Sequence, residues 1–437
     1  MKHSSSTTPF SCHIDESFDH PNLTAFGGAN LFVDLLRQLD LRASFERLPF
    51  QKSASATFTL SDELETLITA YALGCERIAH TDEIERDPLL CLKFGLDKLP
   101  HHNTLYRALD RFDNESRVRA LSEINLHLIG DLLKRQAYSI LDIDTTVETV
   151  YGSQEGSRVA YNPRAHGRPS YQPLVAFEGR SRAAVHVELR GGHPPDAKAK
   201  IAFYREAKDR LTHHAPVRFV RADRGFTSED FLSALEADQV GYTLKVRITS
   251  GLAARLALGV LWQRLPSHET TEIEVGSVPF QAEGWSKRRR VVLIRTRLAD
   301  ESQPALFAEY SWDYQAIVTD RDWAPEHVWH FYNQRCTSEL LIKEMKVGLK
   351  IDAITKADFW PNAADLWLKT LAYNVFVHFK EHAPAHYRTF SISRLRRALL
   401  AIPALLVHHA RQWRLRLPEY WPHREAWRSV RQSLNAA

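Results

Sequence analysis

Cysteine is scarce in this 437-residue chain: Cys12, Cys75, Cys91 and Cys336 lie far apart, with no CxxC pair. That excludes a disulfide framework or a zinc finger of ordinary spacing, and it fits a reducing, cytoplasmic compartment. Long apolar runs are missing as well. No stretch approaches the ~18 residues a spanning helix needs, so no membrane is expected. Met1 to Ser11 carries a run of Ser and Thr but no apolar segment, unlike a secretory signal. There is no phosphate-cradling glycine loop, dinucleotide fingerprint or Gly-x-Ser-x-Gly elbow. An excess of one charge is also lacking, since 57 Lys+Arg against 53 Asp+Glu leave a net +4. What remains, 44% apolar and 25% charged residues, is ordinary globular composition. At ~150 residues per domain the length predicts roughly three domains.

The even balance hides a gradient. Residues 1–140 sum to about −5, residues 141–340 to about zero and residues 341–437 to about +9. Over its last part, 389–437, Arg394, Arg396, Arg397, Arg411, Arg414, Arg416, Arg424, Arg428 and Arg431 face only Glu419 and Glu425. A second basic knot is Lys287, Arg288, Arg289 and Arg290. Arginine clusters interleaved with Trp413, Trp421 and Trp427 are the footprint of a phosphate-backbone binder, although an Arg-rich solvated helix face looks the same in sequence.

The first ~135 residues read as helical, with apolar spacing over Leu31–Leu39 and over Leu60–Leu73, where Ser61 is a plausible N-cap. Asn103 to Phe112, after Pro100, has the pattern of a reading helix in a helix-turn-helix or of a plain bundle helix. Strands are expected at Tyr138–Val147, Leu174–Phe177, Ala184–Leu189, Val217–Val220 and Tyr242–Ile248, with helices at Ala197–Leu211 and Ser228–Ala237. Three strands, helix, strand, helix, strand predicts an α/β fold with a mixed sheet flanked by helices. Residues 249–318 turn β-rich again, like an insertion, and helices are expected from Pro325 to the end.

Three groups of residues carry the chemistry. Asp142 and Asp144 alternate onto one face of a predicted strand, where carboxylates are costly unless they bind something, reach solvent or cap a turn. Asp223 follows Val217–Val220, at the strand end where open αβ sheets place ligands. Tyr332, Arg335, Glu339 and Lys346 fall within an arc of roughly 60° on a continuous α-helix. Two strand-borne aspartates and a helix-borne glutamate are the parts of a two-metal site for phosphoryl displacement, and hard oxygen ligands suit magnesium or manganese. The adjacent pairs His101-His102, His213-His214 and His408-His409 read as surface or structural residues.

At these residues the sequence resembles the DDE transposases of bacterial insertion sequences, the subgroup with a Tyr-x2-Arg-x3-Glu-x6-Lys signature. Tyr332, Arg335, Glu339 and Lys346 fit that spacing without a gap. Asp142-Ile143-Asp144-Thr145-Thr146 and Arg221-Ala222-Asp223-Arg224-Gly225-Phe226 look like the first and second Asp blocks. The resemblance covers about residues 135–385. It implies a ribonuclease H-like catalytic domain interrupted by a β-strand insertion, with Asp144, Asp223 and Glu339 as catalytic metal ligands and Asp142 as the alternative to Asp144. It implies two magnesium or manganese ions, and DNA phosphates held by Tyr332, Arg335 and Lys346. In some relatives an insertion-domain Trp stacks on a flipped base; Trp285, beside Lys287, Arg288 and Arg289, is the candidate here and Trp262 its rival.

The expected organisation is a helical DNA-end-binding region 1–136, a catalytic domain in parts 137–248 and 319–385, an insertion domain 249–318 and a basic helical region 386–437. The implied activity is cleavage at element ends and transfer of the freed 3′ hydroxyls to target DNA. The implied partners are double-stranded DNA (terminal inverted repeats and target) and a second copy of the chain in a homodimer, in the bacterial cytoplasm at the nucleoid. Two other readings fit the same residues: a ribonuclease H-like endonuclease without strand transfer, and a non-catalytic transposase-derived DNA-binding protein.

Overall fold

The computed structural model describes residues 16–134, 136–163, 165–247, 258–266, 272–298 and 311–436. The Ser/Thr-rich tip, Cys12, Ile248 and the opening of the expected insertion, 249–257, lie outside them. After a short β1 (Leu23–Thr24) come α1 (Ala29–Gln38), α2 (Leu41–Glu46), α3 (Leu60–Leu73), α4 (Pro88–Phe94), α5 (His102–Leu109) and α6 (Glu115–Leu133). Helix α3 starts two residues earlier than Ser61 as a cap would place it. Thr59 is the cap: its side chain accepts from Asp62 N–H while the Asp62 carboxylate takes Thr59 N–H, a reciprocal box that satisfies two orphan donors.

Next come β2 (Ser139–Thr145), a small three-stranded sheet of β3 (Glu148–Thr149), β4 (Arg158–Val159) and β5 (Pro169–Tyr171), then β6 (Leu174–Glu178), β7 (Ala184–Glu188), α7 (Ala197–Leu211), β8 (Val217–Ala222), α8 (Glu229–Ala237) and β9 (Gly241–Val246). Strands β10 (Gln263–Arg264), β11 (Ile273–Phe280), β12 (Arg289–Leu298) and β13 (Ser311–Thr319) follow. Among the described residues one nine-stranded sheet runs β10-β11-β12-β13-β9-β8-β2-β6-β7. Strands β2, β8 and β9 are parallel, and β6, β7 and β13 run antiparallel to their neighbours. The expected mixed sheet flanked by helices is therefore present. The strands expected as an insertion form too, but they prolong this same sheet: β13 pairs with β9 from Ala316↔Val246 to Thr319↔Thr243, covering an edge that would otherwise expose unpaired backbone.

One face of the sheet packs on α7 and α8 through Phe203, Tyr204, Phe231 and Leu235. The other packs on α11 (Phe359–His382), which is buried from Pro361 to Phe379 and lies against α3 and α6. A helix buried on all sides must satisfy its polar groups internally. Asp365 pairs with Lys369 at 2.9 Å and accepts from Tyr71 Oη; Asn374 donates to Asn125 Oδ1 at 2.6 Å and to the Ala184 carbonyl; His378 Nε2 lies 2.7 Å from the Leu128 carbonyl. These bonds tie the N-terminal helices to the far edge of the sheet.

The chain also contains α9 (Pro325–Asn333), α10 (Cys336–Leu349), α12 (Ala385–Arg388), α13 (Ile392–Leu395), β14 (Ala404–His409), β15 (Gln412–Arg416) and α14 (Arg424–Ala436). The basic C-terminal region is thus not all helical. Leu405 and Ala404 pair with Leu23 and Thr24, so β1 templates a hairpin that helical spacing does not reveal.

On edge strand β7, His186 is wedged between Phe203 at 4.8 Å and Trp367 at 5.7 Å (ring centroids), and neither ring nitrogen has a hydrogen bond. Burial pushes its pKa down to about 3, against the pull of Glu206 and with Arg210 and Arg119 adding to the drop. A depressed histidine binds its proton in the unfolded chain first, so stability is lost as pH falls below the unfolded value. Between pH ~6.5 and 5 this residue should remove about 2 kcal/mol. His186→Phe should shrink the difference in urea-unfolding stability between neutral and mildly acid pH by about that amount. An unchanged difference would refute the assignment.

Candidate active site

The parallel register sets Asp142 on β2 opposite Arg221 on β8. Arg221 is fully buried and grips Asp142 with two hydrogen bonds, Nε to Oδ1 at 2.6 Å and Nη2 to Oδ2 at 2.7 Å. Its remaining nitrogen, Nη1, donates to the Phe331 carbonyl at 2.8 Å and to Gln334 Oε1 at 3.2 Å. The Phe331 carbonyl is available because the helix breaks there. Arg335 N–H bonds the Tyr332 carbonyl at 2.8 Å, a tight i→i+3 turn, where a continuous helix would use Phe331. Tyr332 therefore ends α9, Arg335 sits in the junction, and Glu339 and Lys346 lie on α10; the four do not share one unbroken helix. A Cβ on Gly179 would come within 2.5 Å of Arg221 Nη2 and 3.1 Å of Asp142 Oδ2, so glycine at that turn leaves room for the pair.

Both oxygens of Asp142 are thereby engaged by Arg221, whereas Asp144 on the same strand lies beside Arg335. Arg335, 3% exposed, reaches Asp144 Oδ2 with Nη2 at 2.8 Å and donates from Nη1 to Glu339 Oε1 at 3.1 Å. Asp223 follows β8, caps a single 3₁₀ turn (Arg224–Phe226) and accepts from Gly225 N–H at 2.9 Å. Burial, with repulsion from Asp223 and Glu339, pushes the Asp144 carboxyl up to about 6 despite the nearby Arg335 guanidinium. Asp144, Asp223 and Glu339 all act on Arg335 in turn. Three carboxylates thus converge on one guanidinium at the ends of two adjacent parallel strands and on the helix beside them.

Their oxygens are not drawn to coordination distance. Among the described residues, Asp82, His101 and His102 form the sole trio of potential ligands whose atoms all lie within 4.8 Å of one another. That group is explained structurally: His102 Nδ1 bonds Asp82 at 2.7 Å, and His101 caps α5. Glu339 pairs with Arg335 while its side chain is 66% exposed. The all-oxygen donor set and its mutual repulsion nonetheless fit a hard divalent cation.

The other expected contacts divide. Lys346 is buried and donates to the Val147 carbonyl at 2.9 Å, next to the fully buried Glu148, whose carboxyl burial drives upward. Tyr332 is buried with Val328. Trp285 is buried too, its indole N–H donating to the Thr227 carbonyl at 3.2 Å, so in this structure it packs and presents no face to a base. Arg289 is locked between Glu229 and Glu236, both at 2.7 Å, and Lys287 pairs with Glu236 at 2.9 Å; Arg288 alone of that trio is exposed and unpaired. Trp262, the rival, is half-buried beneath Arg295, 4.3 Å from its ring centroid. Lys200 on α7, which sequence reading missed, bonds the Gly225 carbonyl at 2.7 Å and senses the charge of Asp223.

The model of the transposase DDE domain group 1 family matches residues 7–437. The chain belongs to this transposase family. No curated protein matches it. Among solved structures, this transposase is similar to a piggyBac transposase synaptic complex with hairpin DNA (13% identity, 86% of this chain and 81% of that one, TM-score 0.47). It is also similar to a Drosophila P element transposase strand transfer complex (15% identity, 47% of this chain and 41% of that one, TM-score 0.25). Among the described residues no helix is long and apolar enough to cross a membrane.

Removing one partner of a buried ion pair strands the other charge, at a cost of about 3–5 kcal/mol. Arg221→Met should therefore destabilise the transposase by about that much in urea unfolding, while the double variant Asp142→Leu/Arg221→Met should recover most of the loss. Equal destabilisation of single and double variants would refute the pairing.

Proposed function

We propose that this transposase cleaves DNA at the ends of a bacterial insertion sequence and joins the 3′ hydroxyls to target DNA, with Asp144, Asp223 and Glu339 as its catalytic residues. The observation that carries the reading is the convergence of these carboxylates around Arg335 in a chain that matches a DDE transposase family from residue 7 to its end. Two magnesium or manganese ions held there would supply Lewis acidity to the attacking and leaving oxygens of an in-line displacement.

The chain's own residues do the positioning. Arg335 keeps Nε and Nη2 without an aligned hydrogen-bond acceptor although it is buried. A backbone phosphate oxygen of the scissile strand would satisfy those donors with charge-assisted bonds. Lys346, on the same helix, fixes α10 to the segment after β2 through the Val147 carbonyl, and so sets the distance from Glu339 to Asp144. Lys200 holds the Asp223 turn from the opposite side. Asp142 serves as the counter-charge of Arg221, not as a ligand. A homodimer would be needed to hold two element ends together.

Asp223→Asn or Glu339→Gln should abolish magnesium-dependent nicking of DNA carrying the element ends and leave binding of that DNA within a few-fold of wild type. Cleavage that survives in both variants would sink the assignment. A plasmid integration assay distinguishes a transposase from an endonuclease that only cuts: joined products are expected, and nicked products alone would favour the endonuclease.

A further inference from the structure

The hairpin β14–β15 projects from the C-terminal region, and its two faces differ. On one face Ala404 and Leu406 are buried, rooting the ribbon, and nearer the tip the exposed Trp413 packs tilted against His408, ring centroids 4.9 Å apart. The other face carries His409, Gln412, Arg414 and Arg416, all exposed. Arg411 stands at the tip. Arg411, Arg414 and Arg416 have no ion pair, hydrogen bond or ring contact with any described residue, and residues 404–418 contain no acidic side chain. The tip adds a second observation. Ala410 and Arg411 both take positive φ, 51° and 62°, in a two-residue turn where glycine or asparagine is the usual choice. A left-handed Ala-Arg pair is strained, and such strain concentrates where a side chain must be presented.

We infer that this hairpin is a β-ribbon that enters a groove of duplex DNA, with Arg411, Arg414 and Arg416 on the phosphate backbone. The reading rests on the DNA transposase function proposed above. A two-stranded ribbon fits the major groove, which is ~12 Å wide. Residues 414 and 416 lie on one face about 7 Å apart along the strand, and Arg411 extends the same basic line past the turn. Arg397 is also exposed and unpaired, but the hairpin is where three such arginines stand together, able to gain phosphate contacts without first losing internal ones.

The test is fluorescence anisotropy of the full chain with a labelled non-specific duplex across a salt series. Each phosphate contact contributes about 0.9 to the slope of log affinity against log salt, so the Arg411→Gln/Arg414→Gln/Arg416→Gln variant should show a slope shallower by about 2.7. Between roughly 50 and 200 mM salt it should lose about 40-fold less affinity than wild type. The triple Arg→Lys variant should keep the wild-type slope. If the triple Gln variant melts early, each single variant should still lower the slope by about 0.9. A wild-type slope in the folded Gln variants would overturn the hairpin's role while leaving the catalytic assignment intact. A wild-type protein with no salt-dependent DNA binding would overturn both.

Discussion

The Asp142–Arg221 pair is the constraint on which the geometry of the candidate site depends. It joins three elements of distant sequence position: β2, which carries Asp144; β8, which ends at Asp223; and the α9–α10 junction, which carries Arg335. A fully buried ion pair adds little net stability, because desolvation offsets most of its Coulombic attraction. Its consequence is geometric. An unpaired guanidinium at that depth is prohibitively costly, so β2, β8 and the junction meet in one arrangement or the core fails.

That arrangement explains why the helix breaks where it does. Releasing the Phe331 carbonyl from the helical ladder would leave a polar group unsatisfied in a buried place, and Arg221 removes the penalty by donating to it from Nη1. The tight turn in turn swings Arg335 between Asp144 and Glu339. One arginine is wholly consumed in registering the fold, and the next retains unaligned donors inside a pocket of carboxylates. The first gives rigidity and the second places a charge shared by Asp144 and Glu339.

Much of this was legible in the sequence. Period-two alternation placed five strands of the sheet to within a few residues, and the fixed spacing of Tyr332, Arg335, Glu339 and Lys346 marked the segment that carries Arg335 and Glu339. What alternation could not decide was which of Asp142 and Asp144 is held in a buried ion pair, because both share a face and the difference lies in a partner 79 residues away. The helix break was hidden for the same reason: residues 325–349 carry no internal proline or glycine at 334–335, and the break is stabilised by a side chain from another strand. Trp285 and Arg289 looked like a DNA-facing knot because local sequence shows charge but not burial. Glu229 and Glu236, on the preceding helix α8, neutralise Arg289 in three dimensions.

The basic tail makes the same point about charge. Its arginines serve three different ends. Arg396 is mostly buried and donates to the carbonyls of Tyr71, Ala72 and Gly348, where burial lowers its pKa to about 10. Arg424 and Arg428 pair with Glu425 on α14. Arg411, Arg414 and Arg416 are exposed and unpaired, as is Arg397, but only these three stand together on one element. A net charge counts all of them alike, although an exposed, unpaired arginine can bind a phosphate without losing an internal contact and a buried or paired one cannot. The charge available to an anionic partner is therefore smaller and more sharply placed than the tail's composition implies, and most of it sits on the one element of that region which helical periodicity failed to anticipate.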